Sequence, residues 1–241
     1  MKDFSILVGG AAGDGVKQAG RILGRIFNHH GYYIFILDDY QSLIRGGHNF
    51  SKIRASQQKI WSHTREVDCI IALNEDTIKK HESELKDGGF ILYDSETFSY
   101  RGKHRAFGFP LQAFVKQVKG LPIMRNSAAI GGFSYLVGLD KEIVKSVFKL
   151  VYKEKVEKNL ELIDRAYEYA EENFERVLTV EKVDTPPKPL LTGNEAIALG
   201  AVKGGLQVYI AYPMTPSTSI LHFLVKHKDE MNVVVVQPEN E

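Results

Sequence analysis

The sequence predicts an α/β protein with a doubly wound, largely parallel sheet, a helical C-terminal part to the same domain, and a shorter second α/β portion. Short apolar runs alternate with amphipathic helical stretches, the pattern of parallel strands joined by helices. The first apolar run, Phe4 to Val8, leads into a glycine-rich turn and then a helix, as at the start of a doubly wound unit. Three prolines within four positions, from Pro186 to Pro189, mark the boundary between the two parts.

The apolar periodicity places the elements of the first domain in order. Strands are predicted at residues 4–8, 33–37, 50–55, 68–73 and 90–93. Helices are predicted at residues 15–30, 75–85 with Asn74 as its N-cap, 111–118, 126–137, 141–150 and 156–174. The alternating Glu and Lys residues of the last helix are interpreted as a solvated face.

The composition excludes several classes of function. The net charge of +1 provides no attraction to nucleic acid or anionic lipid. The single cysteine, Cys69, excludes an internal disulfide and an iron–sulfur cluster held by this chain alone. The eight histidines show no metal-ligand spacing, so no metal site is expected. Because no signal-peptide pattern and no membrane-spanning apolar run are present, we expect a cytoplasmic protein without a membrane partner.

The turn after the first strand is the first candidate site. Small residues let backbone N–H groups approach an anion, so Gly10, Gly13 and Gly15 are candidate phosphate contacts. The same glycines can instead serve a tight turn that packs the helix on the sheet. Their spacing is G-x-x-G-x-G rather than G-x-G-x-x-G, so binding of NAD or FAD is not predicted.

Residues 42–49, with the sequence SLIRGGHN, form a second irregular stretch that is rich in hydrogen-bond donors. Arg45 can bind a phosphate or carboxylate with its forked guanidinium group. Alternatively, Gly46 and Gly47 make a hairpin turn into the next strand. Because loops often carry function, we favour a ligand or partner contact and include Arg45 among the candidate residues.

The proline-rich segment divides the chain into a domain at 1–180, a linker at 181–191 and a second domain at 192–241. Thr192 and Glu195 form a capping box that opens a helix through about residue 204. The second domain is too short to bury both faces of a parallel sheet. We therefore expect it to be part of a fold, which either belongs to a longer polypeptide or is completed by a partner chain.

The stretch Tyr212 to Thr218, YPMTPST, joins a strand predicted at 208–211 to a following helix. Thr215 is predicted as the N-cap of that helix and Pro216 as its first residue. Such a helix start presents free N–H groups and the positive end of the helix dipole, which suit a carboxylate or phosphate. The alternative is a capped surface helix with no ligand.

These motifs resemble those of 2-oxoacid:ferredoxin oxidoreductases. Residues 192–205 and 212–218 are similar to the opening of the family's pyrimidine-binding alpha domain, and residues 237–241 to its acidic strand end at thiamine diphosphate. The family's gamma domain has landmarks that match residues 9–15, 45–49 and 126–132. A gamma domain fused ahead of an alpha domain is the arrangement of the 2-oxoglutarate-type alpha subunits, so the resemblance favours 2-oxoglutarate over pyruvate and other 2-oxoacids.

The resemblance implies oxidative decarboxylation of a 2-oxoacid to an acyl-CoA, with thiamine diphosphate as cofactor and ferredoxin as electron acceptor. It implies that Thr215 hydrogen-bonds the substrate carboxylate. It also implies that Glu241 contacts the cofactor's aminopyrimidine, with Glu239 as the alternative. Tyr212 and Pro213 belong to the same motif and are expected among the cofactor contacts.

The resemblance also implies partners. Coenzyme A is the expected co-substrate, with Gly10, Gly13, Gly15 and Arg45 as its candidate phosphate contacts. A beta subunit is expected to share the thiamine diphosphate, while magnesium and iron–sulfur clusters are expected only in partner subunits. We expect an oligomer that transfers electrons to ferredoxin, and a chain that is inactive alone. Two other classes of function stay open, namely a non-catalytic scaffold subunit and a free-standing nucleotide-binding protein.

Overall fold

The computed structural model describes residues 2–40, 47–152 and 156–240. Arg45 and Glu241, two of the candidate residues, therefore lie outside the described residues. The chain divides into two compact units, residues 1–188 and residues 189–241. In the described ranges, no helix has the length and apolar character needed to span a membrane.

The first unit contains a six-stranded sheet. Its strands are β1 (Asp3–Ala11), β2 (Tyr33–Asp39), β3 (His48–Ser56), β4 (Val67–Ala72), β5 (Leu85–Asp94) and β6 (Arg105–Phe109). They lie in the order β2-β3-β1-β4-β5-β6, which makes β2 and β6 the edge strands. Strand β3 is antiparallel to both β1 and β2, whereas β1, β4, β5 and β6 pair in parallel. Five strands thus run in one direction and β3 alone runs against them, so the predicted largely parallel sheet is confirmed.

Helices cover both faces of this sheet, as a doubly wound fold requires. They are α1 (Val16–His29), α2 (Glu75–His81), α3 (Leu111–Gln117), α4 (Arg125–Leu136), α5 (Lys141–Tyr152) and α6 (Glu157–Asn173). Because side chains alternate along a strand, β1 directs Ile6 and Val8 to the core under α1 and α4, and Leu7 to a smaller core under α2. The predicted helical C-terminal part corresponds to α3 through α6.

Helix α4 lies at the centre of the first unit, and every residue from Ser127 to Leu136 is buried. Two glycines allow this close packing. A Cβ at Gly131 would lie 2.6 Å from the carbonyl oxygen of Ile163 in α6, and a Cβ at Gly132 would collide with the ring of Phe109. The predicted landmark at 126–132 therefore has a packing role in this unit.

Residues 183–188, which the sequence assigns to a linker, are hydrogen-bonded to the first unit. The Val183 N–H donates to the His30 carbonyl at 2.8 Å, and the Thr185 hydroxyl donates to the Gly31 carbonyl at 2.8 Å. Lys188 Nζ also donates to the Gly31 carbonyl, at 2.9 Å, and lies 4.3 Å from the ring centre of Tyr33 at the start of β2.

The second unit is a small parallel βαβ arrangement preceded by a helix. Its elements are α7 (Gly193–Lys203), β7 (Val208–Ile210), α8 (Thr218–Met231) and β8 (Val234–Val236). The capping box at the start of α7 is confirmed: the Glu195 N–H donates to Thr192 Oγ1 at 3.2 Å, and the Thr192 N–H donates to Glu195 Oε2 at 2.7 Å. Strands β7 and β8 pair in parallel, and both have exposed apolar side chains, including Ile210 at 65% and Val234 at 58%.

The prediction that Thr215 caps α8 and that Pro216 is its first residue is wrong. The helix begins at Thr218, with Ser217 in the cap position, and the Thr215–Pro216 peptide bond is cis. The Met214 carbonyl accepts hydrogen bonds from the Thr218 N–H at 3.0 Å and from the Ser217 hydroxyl at 2.8 Å. These bonds close a separate turn before the helix, so Thr215 lies in this turn, and it is exposed.

Candidate functional site

The glycine-rich turn of the first unit connects the end of β1 to the start of α1. Gly13 has a φ of 95° and Gly15 a φ of 74°, so both need the left-handed conformation that favours glycine. A Cβ at Gly10 would lie 2.8 Å from Asp14 Oδ2, and one at Gly15 would lie 2.8 Å from Asn126 Nδ2. At Gly13, however, a Cβ would meet no atom within 4 Å. Packing therefore accounts for Gly10 and Gly15, whereas Gly13 is exposed and accessible to a ligand.

Asp14 holds the turn together. Its Oδ2 accepts the Ala11 N–H at 2.8 Å, and its Oδ1 lies 2.7 Å from Arg125 Nη2. Its backbone carbonyl accepts the Asn126 Nδ2–H at 2.6 Å. The first two residues of α4 thus fix the turn from the opposite side, although more than 100 residues separate them from it.

A cleft of about 460 Å³ opens beside the turn. The Lys17 ammonium group is the cation that lines this cleft. Lys17 Nζ lies 4.0 Å from Asp38 Oδ2 and 5.7 Å from the centre of the Tyr40 ring. The cleft is lined by Ala11, Ala12, Gly13, Gly15, Val16, Lys17, Asp38, Asp39, Tyr40, Asn49, Phe50 and Ile123. A second cleft of about 380 Å³ shares Gly13 and Ile123 with the first and is also lined by Lys116 and Arg125. Gly13 therefore lies between two clefts, each containing a cation and an exposed backbone.

A chain of ionisable side chains crosses the α2-facing side of β3. His48 Nε2 lies 2.8 Å from His81 Nε2, and His81 Nδ1 lies 2.9 Å from Glu84 Oε1. Lys52 forms an ion pair with Glu84 Oε2. Burial opposes ionisation of Glu84, but its hydrogen bonds with Lys52 and His81 prevail and lower its pKa. His48, His81 and Lys52 are all buried.

The hydrogen bonds fix the tautomers of this chain when both imidazoles are neutral. Because the Glu84 carboxylate accepts from His81 Nδ1–H, the other ring nitrogen of His81 carries no proton and accepts from His48 Nε2–H. His48 Nδ1 is then unprotonated, lies 3.8 Å from Asp76 Oδ2, and has no hydrogen-bond partner among the described residues. Burial, and secondly His81, lower the pKa of His48.

In the second unit, two candidate segments leave the sheet at the same edge. Strands β7 and β8 are parallel and in register, and the Ala211 N–H donates to the Val236 carbonyl at 3.1 Å. The turn that contains Tyr212, Pro213 and Thr215 therefore begins next to the segment that contains Glu239. Tyr212 and Met214 are exposed, at 42% and 46%. This edge thus combines an apolar surface with a carboxylate and a free hydroxyl.

The structure places the sequence-predicted residues in two separate groups. Gly10, Gly13 and Gly15 lie together in the turn of the first unit, while Thr215, Tyr212 and Pro213 lie together in the second unit. Sequence reasoning missed Lys17, Arg125 and the His48–His81–Glu84 chain. Lys17 could have been found, because a cation in the first turn of a helix after a glycine-rich turn is a plausible phosphate contact. Nothing in the sequence pattern links His48 to His81.

Comparison with known proteins identifies related sequences over both units. Residues 5–169 match the family model described as pyruvate ferredoxin/flavodoxin oxidoreductase. Residues 199–241 match the model for the thiamine diphosphate-binding part of pyruvate flavodoxin/ferredoxin oxidoreductase. Neither match includes the proline-rich segment between them.

Curated relatives and a solved structure extend these matches. Subunit alpha of 2-oxoacid:ferredoxin oxidoreductase 2 from Aeropyrum pernix is 26% identical over 100% of this chain and 48% of its own length. A 2-oxoglutarate synthase subunit, KorC, from Archaeoglobus fulgidus is 28% identical over 61% of this chain and 78% of its own. The 2-oxoglutarate:ferredoxin oxidoreductase from Magnetococcus marinus, solved with 2-oxoglutarate, coenzyme A and succinyl-CoA bound, has a TM-score of 0.87 at 24% identity. That superposition covers 99% of this chain and 44% of the solved one. The chain spans about half the length of the first curated relatives it matches.

Proposed function

This chain belongs to the pyruvate ferredoxin/flavodoxin oxidoreductase family, and we propose that it acts as the alpha-subunit part of a 2-oxoacid:ferredoxin oxidoreductase. The proposed reaction converts a 2-oxoacid and coenzyme A to an acyl-CoA and carbon dioxide, with two electrons passed to ferredoxin. The observation that carries this proposal is the presence of two family matches on one chain, the oxidoreductase match at residues 5–169 and the thiamine diphosphate-binding match at residues 199–241. We assign the gamma domain to residues 1–180, the linker to 181–191 and the alpha-domain part to 192–241.

The second unit is proposed to contact the substrate and the pyrimidine end of thiamine diphosphate. The decarboxylation chemistry is that of this cofactor when it is bound. The exposed apolar side chains of Tyr212 and Met214, beside a carboxylate-bearing strand end, fit a planar aminopyrimidine. In this proposal the Thr215 hydroxyl donates a hydrogen bond to the 2-oxoacid carboxylate. Glu241, rather than Glu239, accepts and returns a proton at the aminopyrimidine.

The first unit is proposed to bind the phosphates of coenzyme A at the glycine-rich turn. Gly13 is exposed between two clefts, and Lys17 lies in the first turn of α1, where free N–H groups and the helix dipole favour an anion. Arg45 is proposed to add a forked contact to the same phosphates. Gly10 and Gly15 contribute by allowing the close packing that shapes the turn.

Partner subunits complete the proposed enzyme. Within the described ranges, no group of three or more His, Cys, Asp or Glu side chains is arranged to hold a metal ion. As part of the same proposal, the magnesium that accompanies the diphosphate is assigned to a beta subunit. The single cysteine is buried, and burial raises the pKa of its thiol well above the usual value. One cysteine cannot supply the several thiolates that an iron–sulfur cluster needs, so the clusters are assigned to partner subunits, and the chain alone is expected to be inactive.

The proposed substrate is 2-oxoglutarate. The 2-oxoglutarate synthase subunit from Archaeoglobus fulgidus and the 2-oxoglutarate:ferredoxin oxidoreductase from Magnetococcus marinus support this choice.

Co-production of this chain with a beta subunit from the same genome tests the proposal. Ferredoxin reduction is measured with coenzyme A and, in turn, 2-oxoglutarate, pyruvate or 2-ketoisovalerate. We expect oxoacid- and coenzyme A-dependent reduction, with the highest kcat/KM for 2-oxoglutarate. A preference for another oxoacid would overturn the substrate assignment alone. A stable, cofactor-loaded complex without any oxoacid-dependent reduction would overturn the enzymatic role and favour a scaffold subunit.

A further inference from the structure

Asn194 in the first turn of α7 contacts the turn that contains Thr215. Asn194 Nδ2 donates to the Pro216 carbonyl at 2.9 Å and contacts the Ser219 hydroxyl oxygen. An amide –NH2 group has two protons, so Asn194 uses one donor on Pro216 in the turn and the other on Ser219 in the first turn of α8. The two contacts span 22 and 25 residues of sequence, which makes them tertiary contacts within the second unit.

The start of α7 holds Asn194 in a fixed position. Asn194 lies between Thr192 and Glu195, whose reciprocal hydrogen bonds close the capping box. The Ala196 N–H also donates to the Thr192 carbonyl, at 2.9 Å. Because the backbone on both sides of Asn194 is fixed by these bonds, its amide is a firm anchor rather than a freely rotating surface group.

The turn has few other anchors. The bonds from Ser217 and Thr218 to the Met214 carbonyl lie inside the turn and do not attach it to the rest of the unit. Within the described part of the second unit, Asn194 is the side chain from outside residues 212–220 that hydrogen-bonds to this turn. Thr215 and Pro216 are themselves exposed, so packing does little to fix them.

We propose that Asn194 is a positioning residue that sets where Thr215 presents its hydroxyl group to the 2-oxoacid carboxylate. Asn194 acts through the Pro216 carbonyl and the Ser219 hydroxyl, on the C-terminal side of Thr215, and does not itself touch substrate. The inference rests on the proposed role of Thr215. It predicts a selective defect, because the first unit and its proposed coenzyme A contacts do not depend on Asn194.

The kinetic test uses the complex of this chain with its beta subunit. For Asn194→Ala we expect the KM for the 2-oxoacid to rise roughly 10- to 30-fold, as for the loss of two neutral hydrogen bonds, with an unchanged KM for coenzyme A. Ser219→Ala removes one of the two contacts and should give a smaller rise in the KM for the 2-oxoacid. Asn173→Ala, which removes a similar amide bond to the Tyr169 carbonyl in α6, is the matched control and should change neither KM.

A second readout does not require activity. In the complex, hydrogen exchange of the Thr218 and Ile220 amides, which bond inside the turn, should become faster in Asn194→Ala and stay unchanged in Asn173→Ala. If Asn194→Ala fails to fold, Ser219→Ala provides both measurements.

The outcomes separate the two proposals. An inactive wild-type complex defeats the proposed function, while unchanged exchange at Thr218 and Ile220 defeats the anchoring role of Asn194. If Thr215→Ala raises the KM for the 2-oxoacid but neither Asn194→Ala nor Ser219→Ala does so, the positioning inference is wrong and the proposed function stands. If Asn194→Ala raises the KM for the 2-oxoacid and the KM for coenzyme A equally, the residue has a general structural role, and the positioning inference is also wrong.

Discussion

The Nε2 atoms of His48 and His81 lie 2.8 Å apart, so exactly one of these two nitrogens can carry a proton while the bond exists. His81 donates its single ring proton from Nδ1 to the Glu84 carboxylate, and Lys52 balances the charge of that carboxylate. One additional proton can be accommodated on His48 Nδ1, facing Asp76. A second would place two N–H groups against each other and break the bond. The side-chain network under β3 is therefore stable only while at most one imidazole is charged.

This network predicts a pH dependence of stability. Burial, followed by His81, lowers the pKa of His48 below 6.5, so the unfolded chain binds this proton more readily than the folded one. Its contribution to stability is therefore complete above pH 6.5 and is lost as the pH falls below that value. As the pH falls from about 7 to about 5, we expect the free energy of unfolding to decrease less steeply in His48→Gln than in the wild type.

Urea denaturation across this pH range measures the effect. His104→Gln removes an imidazole outside the network and serves as the control. Its free energy of unfolding should change with pH as steeply as that of the wild type. Identical slopes for the wild type and His48→Gln would show that the buried imidazole pair does not govern acid stability.

Gly13 and Gly88 form a matched pair that separates backbone strain from ligand contact. Their φ angles are 95° and 78°, and a Cβ added at either position would have no other atom within 4 Å. Alanine at either position should cost about 1–2 kcal/mol of unfolding free energy, because both require the left-handed conformation. Only Gly13→Ala should also raise the KM for coenzyme A in the complex. A similar rise in Gly88→Ala, or none in Gly13→Ala, would argue against a phosphate site at the turn.

The Asp14–Arg125 pair is expected to stabilise the glycine-rich turn. Both side chains are largely buried, at 21% and 14% exposure, and Asp14 also accepts the Ala11 N–H. Asp14→Ala should therefore lower the free energy of unfolding by roughly 2 kcal/mol. Combining it with Arg125→Ala should show clear coupling in a double-mutant cycle. The exposed Lys79–Glu75 pair is the control, since the same cycle there should give less than about 0.5 kcal/mol.

Glu239 and Glu241 can be distinguished by isosteric substitution. If Glu241 exchanges the proton at the aminopyrimidine, Glu241→Gln should lower the kcat of the complex by at least about 100-fold. Glu239→Gln should stay within a few-fold of the wild type. The opposite result would assign the proton to Glu239 and leave the proposed reaction unchanged. Thiamine diphosphate affinity, measured in parallel, checks that the loss is not one of cofactor binding.

Local patterns were sufficient to predict the sheet but not all of its parts. The buried strands have continuous apolar runs, which predict strands. The clustered glycines predict a tight turn with positive φ angles, and Gly13 and Gly15 adopt such angles. Strand β6, with the sequence RAFGF, was missed because its glycine and arginine interrupt the apolar run. The start of α8 was misplaced because Thr–Pro is typical of a helix start, whereas hydrogen bonds to the Met214 carbonyl close a separate turn there.

The candidate sites were predictable only where their residues are neighbours in sequence. The contacts between Asp14 and Arg125, His48 and His81, and Asn194 and Ser219 join residues that are 25 or more positions apart. Helix and strand periodicity carries no information about such pairs. They arise when α4 packs against the glycine-rich turn, when α2 packs beneath β3, and when α7 packs beside α8.

Strand β2 lies at the edge of the sheet, and edge strands are the part of a sheet that can pair with another molecule. Among residues 2–40, 47–152 and 156–240, no strand pairs with the outer side of β2, and its apolar sequence would suit the addition of a strand from another molecule. Asp38 and Asp39 place negative charge at one end of the strand. Lys188 lies over Tyr33 at the other end, held there through Gly31. Residues 183–188 add no strand to the sheet, yet they place a cation at this end of its edge strand, and charge at an edge disfavours pairing with another molecule.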